Sequence, residues 1–205
     1  MDTRPGKAYP LGATFDGTGT NFAIYSSVAT SVTLCLLDEE LNEMRIPMTE
    51  VDAWVWHVYV PQVRAGQRYG YRIDGPWDPQ NGLRCDPSKL LLDPYAKAIE
   101  GQLTDSMDLL SYQADDPLSL KGGDSAKATM HSIVVNPFFD WEGDHRPGHD
   151  YSETIIYEAH VKGMTMRHPD VPEELRGTYA GMAHPAIIEH LQKLGVTAVE
   201  RVPSQ

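Results

Sequence analysis

The sequence predicts a mainly β protein, with an immunoglobulin-like antiparallel β-sandwich followed by a β-α-β unit of a parallel sheet. Between Tyr9 and Ile73, apolar residues alternate in short runs that turn signals separate, as in strands with one buried face. After Asp150, two near-continuous apolar runs flank an amphipathic helix, a pattern typical of buried parallel strands. We therefore predict a boundary near Asp150, with domains at residues 1–150 and 151–205.

Five segments of the first domain are predicted as strands because every second residue is apolar. The residues that share a face are Phe22 and Ile24; Val32, Leu34 and Leu36; Met44, Ile46 and Met48; Trp54, Trp56, Val58 and Val60; and Tyr69, Tyr71 and Ile73. This spacing predicts that Trp54 and Trp56 belong to the core.

The rest of the first domain, from Gly75 onward, is irregular. Residues 113–131 are polar and are predicted to form a mobile loop, and SIVVN at 132–136 predicts one more strand. The linker GDHRPGHD at 143–150 contains two His and two Asp residues: His145, His149, Asp144 and Asp150. Two His ligands four residues apart share a face only on a helix, which Pro-Gly between them disfavours. We predict a linker without metal.

The second domain has the pattern strand, helix, strand. ETIIYEAHV predicts the first strand, HPAIIEHLQKLG the helix and VTAVE the second strand. Pro185 suits the first helical turn, and Gly195 suits the position after the helix. Such a unit is a right-handed crossover of a parallel sheet. Two strands and one helix cannot cover both faces of such a sheet, so we expect this domain to be incomplete. If the chain is an inert truncated product, apolar surface should be exposed on the helix and on the first strand.

Composition and charge narrow the classes of partner. The 205 residues carry 29 acidic and 17 basic side chains, a net charge of −12. This balance argues against nucleic acid and against anionic membranes, which both favour clustered Lys and Arg. The N-terminus lacks the apolar core of a secretory signal, and no apolar run reaches the ~18 residues of a membrane span. With only Cys35 and Cys85, whose pairing is left open, we predict a cytoplasmic protein.

Three stretches of the chain together resemble one enzyme family. They are YPLGATFDGTGTNFAIYSS and its continuation to Asp38, GQRYGYRIDGPWDPQNGLRCDPSKLLLDPYAKAIEG at 66–101, and YEAHVKGMT and its continuation to Glu200. The sequence resembles the bacterial glycogen debranching enzymes, which are isoamylase-type members of the α-amylase superfamily. The resemblance implies a sandwich similar to the family 48 carbohydrate-binding modules, and it makes residues 151–205 the first strand, helix and second strand of an incomplete (β/α)8 barrel.

The resemblance also implies retaining hydrolysis of α-1,6 branch linkages, which uses two carboxyl groups ~5–5.5 Å apart and no cofactor. In the family the nucleophilic Asp, the acid Glu and a third Asp follow barrel strands 4, 5 and 7, which lie beyond Gln205. We therefore assign no catalytic residue, and we expect this chain alone to be inactive. Four other acids are interpreted as solvated or ion-paired: Glu158, Asp170, Glu173 and Glu174.

The final residues depart from the family pattern. The family usually continues its second strand with Leu-Leu-Pro-Val, whereas this chain has RVPSQ at 201–205. We expect the matching sequence to end there, as a fragment or at a frameshift. Arg201 stands where a buried strand expects Leu, so its charge is expected to need a partner.

The expected ligand is an α-glucan of the glycogen or amylopectin type; no oligomeric state is predicted. Trp77 is the candidate for stacking on glucose, as in modules of this kind, and Asn81 and Lys89 are hydrogen-bonding candidates. Alternatively, Trp77 packs against the barrel.

His160, Lys162 and Thr165 follow the first barrel strand and either line the substrate cleft or brace the barrel rim. Two other functions stay open: a non-catalytic glucan-binding module, or an inert truncated product.

Overall fold

The computed structural model describes residues 1–202, and the chain divides into two compact units. The first unit is Met1–Asp140 and the second is Trp141–Gln205. This division lies just before the linker at 143–150, upstream of the boundary that the sequence predicts near Asp150. Among the described residues, no helix has the length and apolar character to cross a membrane.

The first unit consists of antiparallel strands. Their bounds are β1 Gly12–Phe15, β2 Gly19–Tyr25, β3 Ser31–Leu37, β4 Glu43–Met48, β5 Glu50–Asp52, β6 Val55–Pro61, β7 Arg68–Asp74, β8 Trp77–Asp78, β9 Leu83–Arg84, β10 Ile99–Glu100 and β11 His131–Ile133. One sheet has the order β1-β2-β6-β5, a second has the order β10-β11-β7-β3-β4, and β8 pairs with β9. Short 3₁₀ turns cover Pro79–Asn81 and Met107–Leu109.

The core of this unit lies between the two larger sheets. One buried cluster contains Phe22 from the four-stranded sheet together with Leu34, Tyr69 and Tyr71 from the five-stranded sheet. The rings of Phe22 and Tyr69 meet edge to face, with centroids 5.1 Å apart, a favourable aromatic geometry. The shared cluster confirms the predicted β-sandwich.

The prediction that Trp54 belongs to the core is wrong. Asp52 pairs with Val55, so Ala53 and Trp54 form a two-residue turn between β5 and β6. Their φ angles are +48° and +64°, and the Trp54 side chain is 60% exposed. Trp56 lies inside β6, where it is half-buried and packs against the core cluster, as its spacing predicts.

The polar segment 113–131, predicted as a loop, is partly buried near its end. Ser125 and Ala126 are buried, and the Ser125 hydroxyl accepts a hydrogen bond from the backbone N–H of Leu90 at 2.9 Å. Ala126 packs in a second cluster with Leu90 and Cys35. Small residues let this polar segment reach the core, and hydrophobic periodicity does not register such contacts.

The second unit is a β-α-β arrangement with two additional short helices. Its elements are β12 Ile156–His160, α1 Val161–Thr165, α2 Tyr179–Met182, α3 Pro185–Lys193 and β13 Ala198–Val202, with 3₁₀ turns at Tyr151–Glu153 and Glu173–Leu175. β12 and β13 are parallel, which confirms the predicted unit. The imidazole of His184 accepts from the N–H of Ala186 at 3.3 Å at the start of α3. Gly195, with φ +73°, follows its end.

The second unit buries one side of α3 and exposes other apolar residues. Ile187 and Leu191 pack with Val171 in its core. The exposed residues are Ile155, Ile156, Ile188, Leu194 and Val199, so apolar surface is open on both the helix and the first strand.

Arg201 finds its partner within the second unit. Its guanidinium carbon lies 5.0 Å from the centroid of the Tyr179 ring, a cation–π contact. The remaining residues of the unusual C-terminal sequence, 203–205, lie outside the described residues.

Candidate functional site

Trp77 lies on a small hairpin that follows β7. β8 and β9 pair Trp77 with Arg84 and Asp78 with Leu83, and the turn between them closes at Gly82 with φ +80°. The indole is half-buried, and its N–H donates to the carbonyl of Leu118 at 2.7 Å. This bond fixes the ring, while the exposed part of the ring remains open to contact.

Asn81 lies at the exposed turn of the same hairpin. Its Nδ2 donates to Oδ2 of Asp78 at 2.7 Å, which leaves the amide oxygen and one N–H for other partners. The structure therefore brings Trp77 and Asn81 together on one short hairpin, as the sequence placed them.

The hairpin also brings two residues together that the sequence did not single out. The guanidinium carbon of Arg84 lies 5.8 Å from the centroid of the Tyr112 ring. Tyr112 forms an isolated bridge with Leu120, in the segment that also supplies the carbonyl for Trp77. An arginine and a tyrosine so far apart in the chain give no local signal, so only the fold reveals this pair. We call residues 77–84 with Tyr112 the Trp77 hairpin surface.

Lys89 is not part of this surface. The side chain is buried, at 3% exposure, and the ammonium donates to the carbonyls of Asp108 at 2.9 Å, Gly122 at 3.0 Å and Gly123 at 2.6 Å. Burial lowers the pKa of this ammonium, and nearby Asp86 acts in the opposite direction. An ammonium has three donors, and all three are used, so the structure gives Lys89 a structural role in place of the expected contact to sugar.

A buried ion-pair network fixes the segment that follows the hairpin. Arg72 on β7 donates to the carbonyls of Pro87 at 3.2 Å and Ser88 at 2.5 Å. The same guanidinium pairs with Glu43 and, at 2.6 Å, with Asp124. These contacts connect the segment after the hairpin and the 113–131 loop to the five-stranded sheet.

The three cleft-rim candidates lie at the end of β12 and in α1. Thr165 is fully buried, and its hydroxyl accepts from the N–H of Gly177 at 2.8 Å. The His160 ring nitrogen accepts from the N–H of Gly163 at 3.1 Å at the start of α1. These bonds stabilise the segment after the strand. Lys162 is exposed.

The acids of the second unit occupy exposed positions. Glu158 on β12 stands beside Glu200 on β13 in the parallel register, and Glu173 lies 3.7 Å from the Arg176 guanidinium. Within residues 1–202, no group of three or more His, Cys, Asp and Glu residues is arranged to hold a metal ion. The Trp77 hairpin surface, by contrast, offers an aromatic ring for stacking and polar groups for hydrogen bonds to a ligand.

A sequence profile and two relatives identify the class of protein that this chain resembles. Residues 10–96 match the profile of carbohydrate-binding module 48, the isoamylase N-terminal domain. The chain is 59% identical over 202 residues to a glycogen operon protein GlgX homolog of Mycobacterium bovis, covering 97% of this chain and 28% of the relative. It is 48% identical over 207 residues to a glycogen debranching enzyme of Yersinia enterocolitica, covering 98% of this chain and 30% of that enzyme.

Solved structures support the fold. A pullulanase of Paenibacillus barengoltzii matches with a TM-score of 0.61 at 22% identity, covering 96% of this chain and 27% of the pullulanase. A pullulanase of Anoxybacillus sp. LM18-11, crystallised with maltotetraose, matches with a TM-score of 0.58 at 22% identity, covering 95% and 25%. In each case this chain spans less than a third of its relative.

Proposed function

We propose that the chain is the N-terminal portion of a glycogen debranching enzyme, in which residues 10–96, which match the carbohydrate-binding module 48 profile, form the N-terminal module. The activity of the whole protein would be retaining hydrolysis of α-1,6 linkages in glycogen-type glucans. The observation that carries the proposal is the 59% identity to the GlgX homolog, which runs through both units. Residues 151–205 would be the first strand, helix and second strand of the catalytic (β/α)8 barrel.

In this proposal the described residues bind substrate and do not cleave it. The chain spans 28% of the GlgX homolog and 30% of the Yersinia enzyme, and the family's three catalytic acids belong to later barrel strands. We propose that His160 and Lys162 lie near the cleft rim of the whole enzyme, with the buried Thr165 bracing them. A cytoplasmic location fits the two free thiols, Cys35 and Cys85, which a reducing compartment maintains.

Glucan contact would occur at the Trp77 hairpin surface. Aromatic rings stack on the apolar face of glucose while neighbouring polar groups bond its hydroxyls. The bond from the Trp77 indole to Leu118 fixes the ring before a ligand arrives, which reduces the entropy lost on binding. Arg84 pairs with Trp77 across the hairpin and Asn81 lies at its turn, and both would supply hydrogen-bond donors.

The coding sequence beyond codon 205 tests the enzyme proposal. If it encodes further barrel strands with two Asp residues and one Glu at their carboxyl ends, in any frame, the proposal is supported and the longer protein should release linear chains from glycogen. The 205-residue chain itself should release none. Hydrolysis by this chain alone would contradict the assignment of the chemistry to later strands.

Retention in glycogen-containing native gels tests the binding surface. We expect Trp77→Ala to weaken retention, because it removes the proposed stacking ring of this surface. Trp54→Ala is the matched control, since it removes another accessible indole from the same unit. Equal loss of retention in both variants, or in neither, would remove Trp77 from the proposed site.

A further inference from the structure

A cleft lies on the outer face of the four-stranded sheet, apart from the Trp77 hairpin surface. The register aligns Thr14 on β1 with Asn21 on β2, and Asn21 with Tyr59 on β6. Their neighbours along the strands, Phe22 and Val58, belong to the core. Because side chains alternate along a strand, the row Thr14, Asn21 and Tyr59 faces away from the core.

A cleft of about 260 Å³ lies at this row, with Lys7, Tyr9 and Asp16 also in its wall. We call it the Tyr9 cleft.

The N-terminal segment forms a fixed wall of this cleft. Asn21 accepts from the N–H of Lys7 at 2.7 Å and donates to its carbonyl at 2.9 Å. Arg4 and Tyr59 exchange two backbone hydrogen bonds, at 2.9 and 3.0 Å. A Cβ on Gly6 would lie 2.7 Å from Oδ1 of Asn21 and 2.8 Å from the Val58 backbone, so only glycine allows this close approach. The wall is therefore formed before any ligand binds.

The chemistry of the cleft suits a neutral molecule with several hydroxyl groups. Tyr9 presents an aromatic ring that is 81% exposed. The Tyr59 hydroxyl lies 3.1 Å from Oδ2 of Asp16 and 2.9 Å from the Thr18 hydroxyl. An ionised carboxylate has about four acceptor positions, and Oδ2 of Asp16 receives only the Tyr59 bond among the described residues. It can accept further hydroxyl donors.

Three further features of the cleft bear on the choice of ligand. Hydrogen bonds from the Thr18 backbone and hydroxyl hold the pKa of Asp16 at about 2, so the carboxylate is charged at neutral pH and repels anions. The cleft volume is just below the range of about 300–1,000 Å³ typical of drug-sized ligands, so a single sugar ring is the appropriate size. In addition, the hydroxyl of Thr14 is buried without a hydrogen-bond partner among the residues of the described chain.

We propose that the Tyr9 cleft is a second carbohydrate site, in which one neutral hexose unit of a glucan stacks on Tyr9 and donates hydroxyl hydrogens to Asp16, with the Tyr59 hydroxyl as an additional partner. The inference rests on the proposed glucan-binding function and extends it to the four-stranded sheet of the sandwich. Two sites on one module would engage separate chains of a branched glucan and raise its apparent affinity through multivalency.

An NMR titration of the ¹⁵N-labelled 205-residue chain with maltotriose tests the proposal, because backbone amides report each site separately. We expect saturable shifts at the amides of Lys7, Tyr9 and Thr18. Tyr9→Ala should weaken this binding roughly tenfold, the effect of losing an aromatic contact worth about 1.4 kcal/mol. Tyr151→Ala, which removes another exposed tyrosine, should leave it unchanged.

The variants separate this site from the Trp77 hairpin surface. Shifts at the cleft that persist in Trp77→Ala and weaken in both Tyr9→Ala and Tyr59→Phe support the proposal; Tyr59→Phe keeps the ring and removes only the hydroxyl. Shifts confined to Trp77, Asn81 and their neighbours would overturn the proposal that the Tyr9 cleft binds sugar, and would leave the proposed function unchanged. Shifts at the cleft alone support it and remove glucan contact from Trp77. Shifts at neither site overturn both binding proposals.

Discussion

Lys89 illustrates how little a residue's type says about its environment. In the sequence SKLLLDP it has the polarity of a surface residue, and the expectation of a sugar contact followed from its position near Trp77. Its burial depends on carbonyls at Asp108, Gly122 and Gly123, which are distant in the chain. No local pattern encodes those partners, so the structural role becomes visible only in the folded protein.

Lys89→Met should therefore destabilise the first unit. The substitution keeps the length of the side chain but removes the donor of three part-buried hydrogen bonds to carbonyls, which costs about 1–3 kcal/mol. The midpoint of urea unfolding, at constant slope, measures this loss. Lys127→Met is the matched control because Lys127 is exposed in the same region. If Lys89→Met reduced retention by glycogen without changing stability, the original prediction of a sugar contact would be restored.

Asp16 should contribute stability that depends on pH. Its folded pKa of about 2 lies below the ordinary value of 3.8, so the unfolded chain binds protons more readily than the folded chain. The contribution is complete above about pH 4 and is lost as the pH falls toward 2. Because the group is exposed, we expect about 0.5–1 kcal/mol rather than the full value of the shift.

Unfolding of Asp16→Asn between pH 7 and pH 2 measures this contribution. The variant should be less stable than the parent at neutral pH, and the two curves should converge near pH 2. Asp115→Asn, at another exposed acid of the same unit, provides the control. A gap between parent and Asp16→Asn that stays constant across this range would show that ionisation of Asp16 does not stabilise the fold.

At the scale of the element, period two predicted the main strands of the sandwich because their alternate residues face a common core. It failed at the start of β6, where the alternation extends one residue back into the preceding turn. Ala53 and Trp54 occupy that turn with positive φ angles, although neither residue is a usual turn former. Two-residue hairpin turns with positive φ at both positions favour Asn-Gly, so the sequence contained no signal that the strand begins at Val55.

Residues that suit the geometry of this turn should increase the stability of the first unit. The double substitution Ala53→Asn and Trp54→Gly supplies the residues that the turn geometry prefers, and the relief of strain should stabilise the unit by about 1 kcal/mol. For a chain of this size that corresponds to about 2–4 °C in Tm, which calorimetry resolves. Ala53→Val is the opposite control, since a β-branched residue at positive φ should lower Tm. A lower Tm in the double variant would show that the Trp54 ring stabilises the hairpin by packing.

At the scale of the whole molecule, the sequence predicts the order of the elements but only part of the candidate site. The β-sandwich and the β-α-β unit follow from the change in hydrophobic period after the linker. Trp77 and Asn81 were placed together because they are close in sequence on a turn. The Arg84–Tyr112 contact and the Tyr9 cleft join segments that are distant in sequence, and a pattern within one segment cannot register such pairings.

The second unit provides a last prediction, because its parallel strand pair leaves apolar side chains in water. Parallel sheets are usually covered on both faces, yet in this chain Ile156 is 61% exposed and Ile188 on α3 is also exposed. Contiguous apolar surface binds hydrophobic dyes. We expect the 205-residue chain to enhance ANS fluorescence, and we expect Ile156→Thr combined with Ile188→Gln to reduce that signal at least twofold. Leu103→Gln, at an exposed apolar residue of the first unit, should leave it unchanged. Equal signals from the parent and the double variant would place the dye-binding surface elsewhere.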